Sequence, residues 1–313
     1  MGMSDPGRGV RHLPSTECRA GFDRFDPVRK SVAMADGAVA IHTTGVTPPL
    51  KWAGGKRWLV QRLVGSISIP YSRLIEPFAG SAATFFKLAP ARAILTDKNN
   101  DLIEFYEIVR DDPSSLLEAL TVHAEQHSKD YYYAVRSAQH EDAVQRAARL
   151  LYLNRTCWNA LYRVNQKGQF NVPKGTKDRV LLATDDFPAV SRMLSRCDLR
   201  CDDFEVALAE ATHGDLIFAD PPYFSKSVSG TFVKYNGVTF SWADQERLAT
   251  AITAAHRRGA HFILTNVDTP ELSDLYAHVG FTSRIERQSV ISGLKVGRKT
   301  TSELLWTSFA LKL

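Results

Sequence analysis

Asp220-Pro221-Pro222-Tyr223 is the stretch of this chain whose residue types most directly offer chemistry. An aspartate carboxylate and a backbone carbonyl held together form a double acceptor for an amino group with two N–H bonds, and a tyrosine beside them provides a flat stacking face. The prolines lack N–H groups and fix φ, so the turn is stiff. Such a set suits an exocyclic NH2 on a flat ring. Taken alone, it equally fits a strand ending in a structural turn, with Asp220 as a helix cap or surface charge. Its position comes from the residues before it. Leu216, Ile217, Phe218 and Ala219 follow Gly214-Asp215 and read as a short buried strand of a parallel sheet. The carboxyl ends of such strands border the crevice in which open α/β sheets bind ligands.

Three earlier stretches could build the rest of a pocket. Lys51-Trp52-Ala53-Gly54-Gly55-Lys56 pairs glycines, which allow close backbone approach, with two cations and an indole; it also fits an ordinary loop whose Trp52 plugs the core. Residues 74–81 read as strand, turn and helix start, with Phe78 and Gly80 in a turn against which a nucleotide-like ligand can lie. This is not a GxGxxG fingerprint and no Walker lysine follows, which disfavours a dinucleotide or a nucleoside triphosphate. A second strand, residues 93–97, ends in Asp97 at the spacing where α/β units place an acid on ribose hydroxyls, unless Asp97 caps the helix starting near Asn100. Further on, a strand near residues 199–201 runs into Asp202-Asp203-Phe204, an acid and an aromatic at a strand end.

Between the second strand and the Asp220 strand the pattern turns helical, from Asp101 to Leu153, and leads into the most basic window of the chain. Residues 146–180 hold eight Lys or Arg against one acid, Asp178, interleaved with Tyr152, Trp158, Tyr162, Phe170, Asn154, Asn159, Asn165 and Asn171, and a hairpin turn is expected at Lys167-Gly168. Cations for phosphates, amides for base edges and aromatic wedges equip a DNA-reading surface; the plain alternative is a solvated basic helix face. After the Asp220 strand the sequence predicts a covering loop over residues 224–242, then helix 244–258, strand 262–266, helix 270–278 and strands 283–290 and 304–311, with a small basic loop at residues 292–303.

The 313 residues are 44% hydrophobic, enough for a large core, and carry a formal net charge of +5, which weakly favours a polyanionic partner. No apolar run reaches the length of a membrane span, and residues 1–46, rich in Gly, Pro and alternating charge, read as a disordered arm without a signal-peptide core. The four cysteines form no CxxC and have no histidine partner at metal spacing, so no metal and a reducing cytoplasm are expected.

With Lys51-Trp52-Ala53-Gly54-Gly55-Lys56, Glu76-Pro77-Phe78-Ala79-Gly80-Ser81, the acid of Leu95-Thr96-Asp97, LYLNRTCWNALYRVNQKGQFNVPKG over residues 151–175, Asp202-Asp203-Phe204 and Asp220-Pro221-Pro222-Tyr223 in this order, the chain resembles the DNA adenine N6-methyltransferases of the Dam type over roughly residues 49–313. The resemblance implies a Rossmann-like α/β sheet with helices on both faces, formed by residues 47–112 and 180–313, and an inserted helical and hairpin target-recognition domain at 113–179. It implies S-adenosylmethionine as cofactor, with Trp52 and Lys56 at its methionine end, Phe78 and Gly80 beneath it, Asp97 on the ribose and Asp203 and Phe204 on its adenine. Asp220, Pro221, Pro222 and Tyr223 become the grip on a target adenine flipped out of duplex DNA. Trp158 becomes the wedge near the flipped base, beside Asn159 in the recognition set; Lys51, Leu161, Arg163 and Pro173 become base contacts, and Arg155, Asn165 and Asn171 backbone contacts. A monomer, no membrane and a cytoplasmic, nucleoid-associated location follow from the same likeness, with GATC as the expected site. Three features depart from the family pattern: Phe204 stands where tyrosine is common, Trp158 is a larger wedge than the usual tyrosine, and Thr176, with Lys177 nearby, stands where an arginine is expected. An inactive DNA-binding regulator, or a methyltransferase of another amino group in RNA or at cytosine N4, are the competing functions.

Overall fold

Seven strands form one sheet in the order β3-β2-β1-β4-β5-β7-β6. They are β1 (Arg73–Glu76), β2 (Ala93–Asp97), β3 (Cys197–Cys201), β4 (Asp215–Ala219), β5 (His261–Val267), β6 (Phe281–Gln288) and β7 (Thr300–Thr307). The first five are parallel neighbours, and β7 enters antiparallel between β5 and β6. The computed structural model describes residues 45–223, 240–288 and 300–311. The arm expected over 1–46 lies outside these residues up to position 44. Most of the covering loop and of the small basic loop lies outside them as well.

Period-two alternation in the strands explains why the sheet is covered on both sides. On one face Leu74, Leu95, Leu216, Phe218, Ile263 and Leu305 join a core shared with α1 (Arg57–Leu63), α2 (Ala83–Leu88), α3 (Asn100–Asp111) and α7 (Phe187–Leu194). On the other, Ile75, Ile94, Ile217, Ala219, Phe262, Leu264 and Trp306 pack with α8 (Phe204–Ala209), α9 (Trp242–Arg257) and α10 (Pro270–Tyr276). β4 is buried at all five positions, as its uninterrupted apolar run requires. The sheet class and its two helical layers are those expected from the sequence.

The insertion between β2 and β3 consists of α3, α4 (Pro113–Glu125), α5 (Lys129–Ser137), α6 (Ala143–Thr156), a single 3-10 turn at Trp158–Ala160 and a small hairpin, closed by bridges between Cys157 and Lys174 and between Val164 and Phe170, before α7. Local caps punctuate it: Asn99, Asp112, Ser128, Asp142 and Asp186 each accept a backbone N–H in the first turn of the following helix. Its apolar residues, Leu120, Tyr132, Leu151, Tyr152, Tyr162 and Phe170, belong to the same continuous cluster as Leu74 and Leu216. The insertion is therefore built on the sheet's own core.

β7 ends earlier than the apolar pattern through Phe309 and Leu311 predicts. After Thr307 the chain bends, with the Thr307 hydroxyl donating to the carbonyl of Phe309 at 2.7 Å.

Candidate active site and nucleic-acid interface

Strand order reverses between β1 and β4: the chain leaves β1 toward β2 on one side and β4 toward β5 on the other. The crevice at their carboxyl ends is the topological switch point of the sheet. Glu76-Pro77-Phe78-Ala79-Gly80 leaves β1 there, and Asp220-Pro221-Pro222-Tyr223 leaves β4.

Lys56 precedes α1 and reaches this crevice with a side chain only 3% exposed overall. A buried ammonium needs partners. Its Nζ lies 2.9 Å from Asp220 Oδ1 and 3.9 Å from Glu303 Oε2, donates to the carbonyl of Gly54 at 2.9 Å, and sits 4.5 Å from the centre of the Tyr223 ring. Asp220 Oδ1 also accepts the hydroxyl of Thr265 on β5 at 2.6 Å. One carboxylate oxygen of Asp220 is thus tied twice, whereas Oδ2 accepts nothing among the described residues. The ammonium thus sits between two carboxylates, Asp220 and Glu303.

The turn after β1 is tightly built. Gly80 has φ +47°, and a Cβ on it would stand 3.0 Å from Trp52 Cδ1, so the indole lies directly on the turn. Tyr106 of α3 donates to the carbonyl of Gly80 at 2.8 Å, and the N–H of Gly80 donates to Asp97 Oδ2 at 3.1 Å. Asp97 Oδ1 accepts the N–H of Asn99 at 3.0 Å, and Asn99, not Asp97, caps α3. Burial raises the pKa of Asp97, against the backbone bonds that lower it. α2 starts at Ala82 in the left-handed region without a side-chain cap of its own; Glu76, from β1, accepts the N–H of Phe85 at 2.5 Å. Glu76 is 3% exposed, and burial, with Asp220 adding to it, pushes its carboxyl up to about 8.

Asp203 caps α8 by accepting the N–H of Glu205 at 2.9 Å, and it pairs with Lys98 at 2.6 Å and Arg247 at 2.9 Å. Burial raises its pKa, but these partners outweigh it and hold the carboxyl below the usual range. Phe204 is only 2% exposed: its ring lies 5.3 Å from Phe78 and 5.8 Å from Phe240, with the Arg247 guanidinium 4.8 Å away. The accessible aromatic surface of this cluster belongs to Phe78 and Phe240.

The hairpin after α6 meets the site through Trp52, whose indole stacks on Tyr162 at 5.1 Å and 24°. Tyr162 is held by a 2.6 Å bond to Asp101 of α3. Buried Asn154 clips the backbone of Lys51 on both sides, accepting its N–H at 3.0 Å and donating to its carbonyl at 2.7 Å, and so fixes the root of a lysine expected to touch a base. The Lys51 ammonium itself is exposed, and its pKa is lowered first by its hydrogen-bonding neighbour Lys177 and then by burial.

Trp158 is 49% exposed at the hairpin's open end, and Asn159 and Ala160 beside it both take left-handed φ, at 55° and 53°. Two such residues in succession store strain of about 1 to 3 kcal/mol each and are a mark of functional loops. Leu161, Arg163 and Pro173 lie at least partly exposed on the same segment. Arg163 donates through Nε to Asn171 Oδ1 at 2.8 Å, leaving its two Nη groups uncommitted among the described residues. Asn165 shapes the turn: Oδ1 accepts the N–H groups of Lys167 and Gln169, and Nδ2 donates to Gln169.

Arg155 requires a correction. It is 7% exposed, pairs with Asp185 through both Nη groups at 2.7 Å, and donates to the carbonyls of Val180 and Pro49. It clamps the insertion internally and offers no surface to a phosphate. Arg146 and Arg149 are only partly buried but likewise committed, to Glu104 and to the carbonyls of Val135 and Arg136, so part of the basic window is tied up by partners within the protein. Spacing alone does not separate these from surface cations: Arg146 and Arg155 stand on opposite faces of α6, and of the three only Arg155 is buried.

Glu76 and Asn154 stand inside motifs of the sequence without an assigned role, and two further contributors, Thr265 and Glu303, escape the patterns altogether. The last two stand on strands remote in sequence from the Asp220 turn. Only strand pairing signals them, since β5 runs beside β4 and β7 beside β5. Among the described residues no group of three or more His, Cys, Asp or Glu is placed to hold a metal ion, and no helix is long and apolar enough to cross a membrane.

A doubly wound sheet thus places a carboxylate at its switch point, with a basic, aromatic hairpin beside it. Comparison with known proteins gives the family. Residues 52–291 match the D12 class N6 adenine-specific DNA methyltransferases. A type II methyltransferase of Lactococcus lactis subsp. cremoris is 34% identical over 271 residues, 84% of this chain and 95% of its own. The DNA N-6-adenine-methyltransferase of Escherichia phage P1 is 37% identical over 235 residues, 74% of this chain and 31% of its own, and the DNA adenine methylase of Vibrio cholerae serotype O1 is 32% identical over 262 residues, 82% and 94%. The chain belongs to the D12 class N6 adenine-specific DNA methyltransferase family.

Proposed function

We propose that this enzyme transfers a methyl group from S-adenosylmethionine to N6 of an adenine flipped out of duplex DNA, within GATC. The observation that carries this is Asp220, with Oδ1 fixed by Lys56 and Thr265 and Oδ2 available at the switch point.

The crevice suits S-adenosylmethionine on its own features. The Gly80 turn admits no side chain beneath Trp52, Asp97 is an acceptor at the end of β2, the Phe78 and Phe240 rings pack around Phe204, next to Asp203 in the chain, and the Asp220 and Glu303 carboxylates lie around Lys56. Lys56 and Trp52 are assigned to its methionine end, Phe78 and Gly80 to the turn beneath, Asp97 to the ribose, and Asp203 with the Phe204 cluster to its adenine. Bound there, the cofactor supplies a methyl on a sulfonium, the C–S pair returning to sulfur as the methyl leaves.

The protein's part is to make a poor nucleophile attack. The N6 lone pair of adenine is delocalised into the ring. Asp220 Oδ2 and the carbonyl of Pro221 accept the two N–H bonds and let the nitrogen pyramidalise toward the methyl carbon, while Pro222 stiffens the turn. The proton shed after transfer leaves N6 through Asp220 to water. Extruding the base costs a few kcal/mol, which stacking on Tyr223 offsets in part. Residues 47–112 and 180–313 form the catalytic part and 113–179 the recognition part. Trp158 enters the duplex, Lys51, Leu161, Arg163 and Pro173 contact bases, and Asn159, Asn165 and Asn171 lie along the backbone. The protein acts as a monomer in the cytoplasm.

Methylome sequencing of a methylation-deficient host expressing the chain tests the target. N6-methyladenine confined to GATC supports the proposal. Methylation at another motif keeps the chemistry, refutes the site and points to Thr176. Absence of modified adenine with folded protein refutes the reaction.

A further inference from the structure

Thr265 lies on β5, fully buried, and no motif of the chain includes it. β5 pairs parallel to β4 with Ala219 opposite Leu264, which brings Thr265 level with Asp220, and antiparallel to β7 with Thr265 opposite Leu305. Alternation then puts Asp220, Thr265 and Glu303 on one face of the sheet, beyond the last apolar residues Phe218, Ile263 and Leu305, with Lys56 laid across them. A strand held on both sides leaves its β-branched side chain little freedom to follow a neighbour.

We propose that Thr265 is a positioning residue for methyl transfer: its hydroxyl donates to Oδ1 of Asp220 and, with the Lys56 ammonium on the same oxygen, fixes the carboxylate's rotation so that Oδ2 is the oxygen offered to the target amino group. This deepens the function proposed above and rests on it. The terminal torsion of an aspartate is broad and close to twofold, so an untied carboxylate samples many orientations. Lys56 alone does not set the rotation, because an ammonium is a point charge that accepts a partner from many directions. A hydroxyl on a fixed strand supplies a second, directional tie to the same oxygen. The effect expected is on the rate of transfer and not on assembly of the complex, since Thr265 is fully buried and presents no surface to a ligand.

The test uses the full chain as wild type, Thr265→Val and Thr265→Ser. Valine keeps the shape and removes the donor, and serine restores the donor. Three quantities are read: the single-turnover rate of methyl transfer to a duplex, the fluorescence of 2-aminopurine placed at the target adenine as the signal for extrusion, and cofactor affinity by calorimetry. Thr265→Val is expected to lower the transfer rate about tenfold, the effect of losing one charge-assisted hydrogen bond in the transition state. The fluorescence amplitude and cofactor affinity should stay at wild-type values, and Thr265→Ser should recover most of the rate. An unchanged rate in Thr265→Val overturns the proposal. So does an equal loss in the valine and serine variants with lowered melting temperatures, which marks a packing role. A wild-type protein that extrudes the base and binds cofactor but methylates no adenine overturns the parent function instead, and is distinguished by failing before any variant is compared.

Discussion

Glu76 joins the fold and the site in a single carboxyl, accepting a first-turn N–H of α2 while burial, and then the charge of Asp220, raise its pKa. Its folded form keeps the proton up to about pH 8, whereas an unfolded chain releases it near 4.5. Over that window the native state binds the extra proton, so stability falls as pH rises from about 4.5 to about 8. Glu76→Gln, which retains an acceptor for Phe85, should flatten this slope in denaturant titrations across the window; an unaltered slope assigns the dependence elsewhere. The two arginines of the recognition segment divide in the same manner. Arg155→Ala strands the buried Asp185 carboxylate and should cost about 3 to 5 kcal/mol of stability. Arg163→Ala should leave the melting temperature alone and relax discrimination at one base by about 1 to 3 kcal/mol, measured by competition among duplexes. Similar stability losses in both would contradict their separation into clamp and reader. At this scale the sequence shows which residue types carry chemistry, because Asp220, Lys56, Asp97 and Trp52 lie in recognisable local patterns. It does not show which cations are buried, as Arg155 demonstrates, since burial depends on Asp185, thirty positions away.

Among the elements, the hairpin proposed for recognition depends on one close approach. A Cβ on Gly175 would fall 2.4 Å from the carbonyl oxygen of Cys157, where the N–H of Gly175 also donates to Thr156 at 2.7 Å. Gly175→Ala must pry the neck of the hairpin apart, at about 1 to 3 kcal/mol, and displace Trp158, whose N–H donates to Pro173. DNA affinity should fall while cofactor affinity, measured by calorimetry, holds; loss of both would mean that the neck and the cofactor turn move as one through Trp52 and Tyr162. Strands and helices are largely legible in the sequence, since short apolar runs ending in Pro or Gly and three- to four-residue apolar periods mark them directly. The pairing of β7 between β5 and β6 is not, because nothing local in Thr300–Thr307 records its neighbours, and the Thr265 and Glu303 contributions are lost with it.

Over the whole molecule, the net charge of +5 is a poor guide to the interface, because several cations of the basic window are engaged by partners within the protein. The exposed cations Lys51, Arg163, Lys167, Lys177 and Arg179 remain for a duplex. Lys167→Ala and Lys177→Ala should each weaken binding to all sequences alike and, for every phosphate left without its cation, lower the slope of log affinity against log salt by about one. Sequence-dependent losses would instead make these lysines base readers. The central claim is that Asp220 directs methyl transfer to the amino group of adenine in duplex DNA. Mass spectrometry of nucleosides from a duplex incubated with purified wild type or Asp220→Ala and S-adenosylmethionine tests it most directly. The account predicts N6-methyladenine with the wild type and none with a folded, cofactor-binding Asp220→Ala; equal N6-methyladenine from both proteins, or a modified base other than adenine, would contradict it.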